Sequence, residues 1–260
     1  MDSAVVARLR AAGCVYAEDE ARLLVEAAAS PAELDAMVAR RAAGAPLEQV
    51  LGWAEFCGRR IRVSAGVFVP RRRTEALVRE AIRIIRERRQ PAEAVDVVVD
   101  LCCGSGALGL VVASSLRGIE LHAADLDAAA VGCARVNLAE VGGRVYQGDL
   151  FAALPEQLRG RVDVVLANVP YVPTEQIRLL PAEARLHEPL HSLDGGADGL
   201  DVLRRVMAAA PEWLSPRGLL LSEVGADQAA TAARLASDIG LQPRLARVAD
   251  TDATILVAHR

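Results

Sequence analysis

The sequence predicts an α/β protein with a mostly parallel sheet covered by helices on both faces, preceded by a small helical region and a β-hairpin. From residue 95 onwards, short continuous apolar runs alternate with helical segments, which is typical of buried parallel strands. A glycine-rich turn follows the first of these runs and opens a helix. Apolar residues make up 52% of the 260 residues, which fits a well-filled core and excludes global disorder.

The first 43 residues are expected to be helical, because alanine, leucine, valine and arginine recur there at helical spacing. Ser30 is followed by Pro31 and Glu33, the pattern of an N-cap, a first-turn proline and an acidic first turn. Residues 50–69 change character and predict a β-hairpin with a glycine turn. These elements form the smaller of two predicted domains, residues 1–73, and the larger domain covers residues 74–260.

The larger domain begins with a predicted helix from Thr74 to Arg89, capped by Thr74, and Gln90–Pro91 is a predicted break after it. The last two predicted strands follow each other without a helix, which indicates an antiparallel hairpin at one sheet edge. The predicted helices are 107–116, 128–141, 200–213 and 228–239. The predicted strands are 95–101, 119–124, 145–146, 162–167, 218–223, 243–248 and 253–258.

Composition excludes several function classes. All 30 basic residues are arginine, so neither a Schiff-base lysine nor a P-loop lysine is available. A net charge of −4 and 3% aromatic residues argue against binding nucleic acid through bulk charge or aromatic stacking. The five cysteines and four histidines show no ligand spacing, so we expect no metal site and a reducing compartment. Without a signal peptide or a ~20-residue apolar run, we expect a soluble cytoplasmic protein.

A nucleotide-type pocket is predicted where the segment 100–109 leaves a buried strand and opens a helix. Gly104 and Gly106 allow a tight turn and let a ligand approach the backbone closely. About 20 residues later Asp125 ends the next strand, where a carboxylate can bond both ribose hydroxyls. Dinucleotides and S-adenosylmethionine both fit this pattern. Asp100 favours S-adenosylmethionine, because a carboxylate at the strand end disfavours a pyrophosphate.

The third strand ends at a second acid. Asp149 is placed to reach an adenine amino group while Leu150 packs on the ring, and Asp127 is expected to cap a helix. The predicted cofactor-binding residues are Asp100, Cys102, Gly104, Gly106, Asp125, Leu126, Asp149, Leu150 and Asn168.

The tetrapeptide Asn168-Val169-Pro170-Tyr171 follows the fourth strand, at the sheet edge where ligands of open α/β folds bind. An amide nitrogen is a poor nucleophile, and a site can help by accepting both N–H hydrogens and fixing the nitrogen in line with a methyl donor. The side-chain oxygen of Asn168 and the backbone carbonyl of Val169 are suitable acceptors. Tyr171 can pack on the planar amide, and Pro170 stiffens the loop.

This tetrapeptide resembles the Asn-Pro-Pro-Tyr motif of methyltransferases that modify planar amide or amino nitrogens. Residues 44–58, 68–75, 186–189, 195–200 and 222–228 resemble, in order and spacing, the HemK/PrmC family of protein-(glutamine-N5) methyltransferases. The resemblance implies a class I S-adenosylmethionine-dependent methyltransferase fold, Rossmann-like, with a seven-stranded sheet whose last strand is antiparallel. It also implies N5-methylation of the glutamine in the Gly-Gly-Gln loop of a peptide-chain release factor.

The same resemblance implies that Arg71, Thr74, Glu75 and Glu188 contact the substrate and that residues 1–73 recognise it. The expected partner is a release factor or another protein, with no membrane and no direct nucleic-acid partner.

Three departures from the family pattern bear on these expectations. Val169 replaces a proline but keeps the backbone carbonyl, and Cys102 replaces a glycine of the cofactor loop. Arg72 and Arg73 replace a proline and an acid at the expected substrate entrance. They lie in a segment, residues 59–89, with about 11 Arg against 3 Glu, which is either a solvated face or a docking surface for an acidic or RNA-bearing partner.

Rival interpretations remain open on the sequence alone. The same fold and tetrapeptide suit a methyltransferase acting on another protein, on a nucleic-acid amino group or on a small molecule. A nucleic-acid enzyme would be expected to carry a basic face, and a duplex substrate would require base flipping. A non-catalytic binding protein that kept the fold is supported only by Val169.

Overall fold

The N-terminal part of the chain consists of helices followed by a two-stranded hairpin. The computed structural model describes residues 3–88, 95–248 and 250–260. The first elements are α1 (Ser3–Ala11), α2 (Ala17–Ala27), α3 (Pro31–Ala42), α4 (Leu47–Leu51), β1 (Trp53–Phe56) and β2 (Arg59–Arg62). The predicted helices are confirmed, and so is the cap, since the Ser30 hydroxyl accepts the Glu33 N–H at 3.2 Å. The predicted hairpin forms, but its strands lie within residues 53–62, and residues 50 and 51 belong to α4. Helix α4 was not predicted, because five residues are too few to show a periodicity.

Apart from one short helix over residues 182–187, which was not predicted, the rest of the chain alternates strands and helices as the sequence predicts. The helices are α5 (Glu75–Arg88), α6 (Ala107–Ser115), α7 (Ala128–Leu138), α8 (Ala182–His187), α9 (Asp201–Trp213) and α10 (Ala229–Asp238). The strands are β3 (Asp96–Leu101), β4 (Ile119–Asp125), β5 (Arg144–Gln147), β6 (Val162–Ala167), β7 (Leu214–Val224), β8 (Gln242–Val248) and β9 (Ala253–His259).

The seven strands β3 to β9 form one sheet in the order β5-β4-β3-β6-β7-β9-β8. Strands β3 to β7 are parallel, and β9 runs antiparallel to both β7 and β8. This confirms the predicted class I methyltransferase fold with its antiparallel last strand. The chain builds outward from β3 in both directions, so a crevice forms beyond the carboxyl ends of β3 and its neighbours.

Both faces of the sheet are covered. Along β3 the side chains alternate, so that Val98 packs with α5, α6 and α7 while Val97 and Val99 pack with α9 and α10. Burial on both faces explains why the strands read as continuous apolar runs. No described helix is both long and apolar enough to cross a bilayer.

The boundary between the two predicted domains runs through a continuous core. Phe56 and Ile61 of the hairpin are fully buried and share an apolar cluster with α5, whereas α1 to α4 have a small cluster of their own. The division at residue 73 therefore stays a prediction. The predicted break at Gln90–Pro91, together with Arg89, lies outside the described residues.

Candidate active site

A cleft of about 1300 Å³ opens at the carboxyl ends of the central parallel strands. Its walls are the loops after β3, β4, β5 and β6, together with residues 66–74 and 180–196. Asp100, Gly106 and Glu75 of the predicted set lie behind its lining. The predicted residues that line it are Arg71, Thr74, Cys102, Gly104, Asp125, Leu126, Asp149, Leu150, Asn168, Val169, Pro170, Tyr171 and Glu188.

The loop between β3 and α6 has the backbone that its glycines predict. Gly104 and Gly106 have φ angles of +55° and +77°, which favour glycine over residues with a Cβ. A Cβ on Gly106 would lie 3.1 Å from the Leu138 side chain, so α7 packs directly on this turn. Cys102 also has a positive φ, +53°, at the position where the resembled family has glycine. A side chain there strains the backbone by about 1–2 kcal/mol.

Asp125 joins the loops after the first three parallel strands. Its Oδ2 accepts the Gly104 N–H at 2.8 Å, its Oδ1 accepts the Asp127 N–H at 2.9 Å, and its carbonyl accepts the Gly148 N–H. Burial raises the pKa of its carboxyl group, an effect that the two N–H donors oppose. A carboxylate has about four lone-pair sites, so both oxygens can still accept hydroxyl groups of a ligand.

Asp100 supports the glycine loop from behind. It is 1% exposed, and its Oδ2 accepts the Gly109 N–H in the first turn of α6 at 2.9 Å. A Cβ on Gly109 would come within 3.1 Å of that oxygen. Burial raises the pKa of Asp100 to about 8. The structure therefore gives Asp100, a predicted cofactor-binding residue, a role in holding the loop.

The adenine-side residues also occupy the cleft. Leu126 is 59% exposed and lines it, as do Asp149 and Leu150. Asp149 Oδ2 lies 2.5 Å from the guanidinium of Arg205 on α9, a partner that the sequence analysis missed. The predicted cap is confirmed, because Asp127 accepts the backbone N–H groups of residues 129 and 130 at the start of α7.

The tetrapeptide begins directly after β6, and its first residue, Asn168, lines the cleft. The side-chain oxygen Oδ1 of Asn168 is buried and has no hydrogen-bond partner among the described residues. Because an unpaired buried acceptor is costly, such an atom indicates a missing donor. Val169 is 2% exposed, and its side chain packs in the apolar cluster of α9 and α10. The fold thus accommodates valine at the position of the family's proline.

The backbone carbonyl of Tyr171, the last residue of the tetrapeptide, contacts residues that are distant in sequence. Gln228 Nε2 donates to the carbonyl oxygens of Tyr171 at 2.8 Å and Asp198 at 2.9 Å. Gly199 has a φ of +76°, and a Cβ on it would lie 2.2 Å from the Tyr171 carbonyl oxygen. Neither Gln228 nor Gly199 was predicted as a site residue, although both lie in stretches that carry the family resemblance.

The tyrosine ring faces a buried carboxylate on β7. Glu223 is fully buried, and its Oε1 lies 3.4 Å from the Tyr171 hydroxyl. The Thr74 hydroxyl donates to Oε2 at 2.7 Å. Helix α5 begins at the next residue, Glu75. Arg73 forms an ion pair with Glu223, with Nε 2.5 Å from Oε1. The Nε–H group itself makes no hydrogen bond among the described residues. Burial beside Glu223 raises the pKa of Tyr171 to about 12.

A second buried carboxylate closes the cleft on the side of α8. Glu188 accepts the Val69 N–H at 3.1 Å and pairs with Arg71, whose guanidinium stacks on Phe68. Burial raises the pKa of Glu188, and the charge of Arg71 opposes this. Glu188 thus holds the segment after α8 against residues 69–71.

Glu75 contacts the hairpin. Its Oε1 accepts the Cys57 N–H at 2.9 Å. The structure therefore gives Glu75 a scaffold contact behind the cleft, and its predicted substrate contact stays a prediction.

The lining of the cleft suits a nucleoside-bearing cofactor and a planar polar acceptor. The glycine turn, the carboxylate of Asp125 and the apolar side chains of Leu126 and Leu150 fit the ribose and adenine of S-adenosylmethionine. Asn168 and Tyr171 line the same cleft. Within the described ranges, no three His, Cys, Asp or Glu side chains are grouped to hold a metal ion.

Comparisons with known proteins agree with this geometry. The Methyltransferase small domain family matches residues 82–240. A Release factor glutamine methyltransferase from Geobacter sulfurreducens is 39% identical over 216 residues, or 81% of this chain and 72% of the relative. One from Cereibacter sphaeroides is 36% identical and covers 92% of this chain and 89% of the relative.

Solved structures show the same fold. A T. thermophilus 16S rRNA N2 methyltransferase, in complex with AdoMet and guanosine, superimposes with a TM-score of 0.54 at 21% identity. The match covers 80% of this chain and 49% of that one.

Proposed function

The chain belongs to the release factor glutamine methyltransferase family of S-adenosylmethionine-dependent enzymes, and we propose that it methylates the side-chain nitrogen of a glutamine in a protein. The acceptor we propose is the Gly-Gly-Gln loop of a peptide-chain release factor. The enzyme would act in the cytoplasm, where that protein works.

The buried, unpaired Oδ1 of Asn168 carries this proposal. It lies at the end of β6, in a cleft whose opposite wall suits the cofactor. A primary amide supplies the N–H donor that this oxygen lacks. The backbone carbonyl of Val169 is the proposed acceptor for the second amide hydrogen.

The residues of the cleft supply positioning, and S-adenosylmethionine supplies an electrophilic methyl group. Two acceptors on one nitrogen fix the direction of its lone pair, which an amide otherwise delocalises into its carbonyl. Tyr171 packs on the amide plane, and its position is set by Gln228, Gly199 and Glu223. Asn168 interacts most strongly as the nitrogen gains positive charge, so it stabilises the transition state more than the bound amide.

Residues 1–73 are proposed to recognise the protein substrate, because they form part of the cleft mouth. The Arg41 guanidinium lies 3.1 Å from Glu183 of α8, and it also pairs with the buried Glu20. Gln49 Nε2 donates to the Val67 carbonyl at 3.0 Å, just before the segment that carries Arg71. A protein bound to α1–α4 would therefore lie next to residues 66–71 and α8, which line the cleft together with Asn168.

The arginine-rich segment favours a protein acceptor over nucleic acid. Within the described part of the chain, five of the eleven arginines in this segment pair with a carboxylate: Arg59, Arg71, Arg73, Arg79 and Arg83. A face that reads nucleic acid needs cations free to neutralise phosphates.

Mass spectrometry tests the proposal directly. The purified enzyme and S-adenosylmethionine are incubated with a release factor from the same organism, and the Gly-Gly-Gln peptide is examined for one added methyl group. The matched control is the same release factor with that glutamine replaced by glutamate. We expect one methyl group on the wild-type peptide and none on the control. An unmethylated wild-type peptide, with cofactor binding intact, would refute the release factor as acceptor.

A further inference from the structure

Asn137, near the end of α7, connects two segments that are distant in sequence. Its Oδ1 accepts the Arg62 N–H at 3.0 Å, and its Nδ2 donates to the Arg62 carbonyl at 2.9 Å. The same Nδ2 donates to the Ser105 carbonyl at 2.8 Å. One carboxamide therefore pairs both backbone groups of a residue in β2 and also holds the middle of the cofactor loop.

The Ser105 carbonyl is a sensitive place for such a contact. Ser105 stands between Gly104 and Gly106, so the loop has unusual backbone freedom at this point. Asn137 supplies a side-chain hydrogen bond that restricts it from the α7 side. Helix α7 also packs on the loop through Leu138, whose side chain would lie 3.1 Å from a Cβ on Gly106.

Arg62 is equally well placed on the acceptor side. It ends β2 and begins the stretch that leads to Phe68 and Arg71 at the cleft. Val67, in the same stretch, packs against Ala130 and Cys133 on the same face of α7. Residues 59–62 do not line the cleft, so a ligand bound there has no direct contact with them.

We propose that Asn137 is a positioning residue that couples the cofactor loop to the segment carrying the acceptor entrance. Ordering of residues 102–106 by S-adenosylmethionine fixes the Ser105 carbonyl, and Asn137 transmits this order to the backbone of Arg62. The hairpin and residues 63–71 then adopt one position relative to the bound cofactor. The coupling rests on cofactor binding alone, so it stands or fails independently of which protein is methylated.

Hydrogen exchange of the full-length enzyme tests the coupling. Saturating S-adenosylmethionine is expected to slow exchange in peptides covering residues 102–109 and, through Asn137, in peptides covering 59–63 by about threefold or more. In Asn137→Ala the protection of 102–109 persists, and that of 59–63 is lost. Equal protection of 59–63 in both proteins, or none in the wild type, would overturn the proposal.

Binding and kinetics provide a second readout with matched variants. Asn137→Asp keeps the acceptor for the Arg62 N–H but turns a carboxylate towards two carbonyl oxygens. Both Asn137 variants are expected to raise the Kd for S-adenosylmethionine and the KM for the protein acceptor about 5- to 10-fold, because both lose the one hydrogen bond to the cofactor loop. The control Arg135→Ala removes only an exposed hydrogen bond from the same helix to the Val145 carbonyl and should change neither value. A change confined to thermal stability would contradict a positioning role.

Discussion

The two walls of the cleft are built differently. The cofactor wall, residues 102–106, 125–127 and 148–150, is held mainly by backbone groups of neighbouring strands, with Asp125 between them. The acceptor wall, residues 68–74, 168–171 and 183–191 with Glu223, is held by side chains from distant segments. Glu188 bonds Arg71 across 117 positions and Glu223 bonds Thr74 across 149. The first wall depends on local sequence, and the second depends on the whole fold.

This difference shows where the chain can change its substrate without losing its cofactor. Two of the three departures from the family pattern belong to the acceptor wall: Val169, and the pair Arg72 and Arg73. Substitutions there alter side-chain partners and leave the strand ends in place. Cys102, the departure in the cofactor wall, affects the backbone itself.

The largest expected effect concerns Asp100, which supports the cofactor wall. Its carboxyl keeps its proton in the folded protein up to a pKa of about 8, whereas an unfolded aspartate loses it near pH 4. Between these values the folded state binds one proton more. Its contribution therefore makes the free energy of unfolding fall with rising pH by about 1.4 kcal/mol per pH unit.

Asn at this position accepts the Gly109 N–H without titrating. Asp100→Asn should gain stability over the wild type as the pH rises from 5 to 7, as measured by urea denaturation. A constant difference between the two proteins across this range would show that Asp100 is ionised in the folded state.

Glu223→Gln should disrupt the contacts of the acceptor wall and leave the cofactor wall intact. Glutamine retains an oxygen for the Thr74 hydroxyl but leaves Arg73 without its ion pair. We expect kcat/KM for the protein acceptor to fall about 10- to 100-fold through misplacement of Tyr171, with the Kd for S-adenosylmethionine unchanged. Thr74→Val, which removes one hydroxyl at constant volume, should show a smaller fall. A parallel loss of cofactor affinity would mean that the two walls are not separable.

Asp125→Ala should produce the reverse pattern. It removes the acceptor of the Gly104 and Asp127 N–H groups and the proposed ribose ligand. The Kd for S-adenosylmethionine, measured by calorimetry, is expected to rise about 10-fold or more. Turnover at saturating cofactor should remain close to that of the wild type. Unchanged cofactor affinity would contradict the ribose-binding role.

Cys102→Gly should have the smallest effect and a favourable one. It relieves a side chain at a φ of +53°, and the greater freedom of glycine in the unfolded chain offsets part of the gain. We expect the free energy of unfolding to rise by up to about 1 kcal/mol. Cys102→Ala keeps the Cβ and should give no such gain. Equal stabilities of the glycine and alanine variants would show that the loop is not strained at this position.

The same contrast explains what the sequence could predict. Asp125, Asp149 and Asn168 were found because each stands at the end of an apolar run, and parallel strands bring such ends together. Glu223 lies inside an apolar run and carries no local sign of its partners. Gln228 directly precedes α10, but its side chain does not cap that helix.

The segment 174–192 was equally unpredictable in its structure. Its short helices, including α8, are too brief to show a period, and two prolines interrupt it. The resemblance singled out Glu188 within it. Only the fold shows that this carboxylate is buried against Val69 and Arg71.

The most direct test of the central claim is the single-turnover rate of Asn168→Ala, measured together with its Kd for S-adenosylmethionine. The account predicts a rate at least about 100-fold below wild type, because the acceptor of the amide hydrogen is lost where charge develops. It also predicts a Kd within about twofold of wild type, since the cofactor wall is intact. A normal rate, or a loss explained entirely by weaker cofactor binding, would contradict the role of the buried Asn168 oxygen.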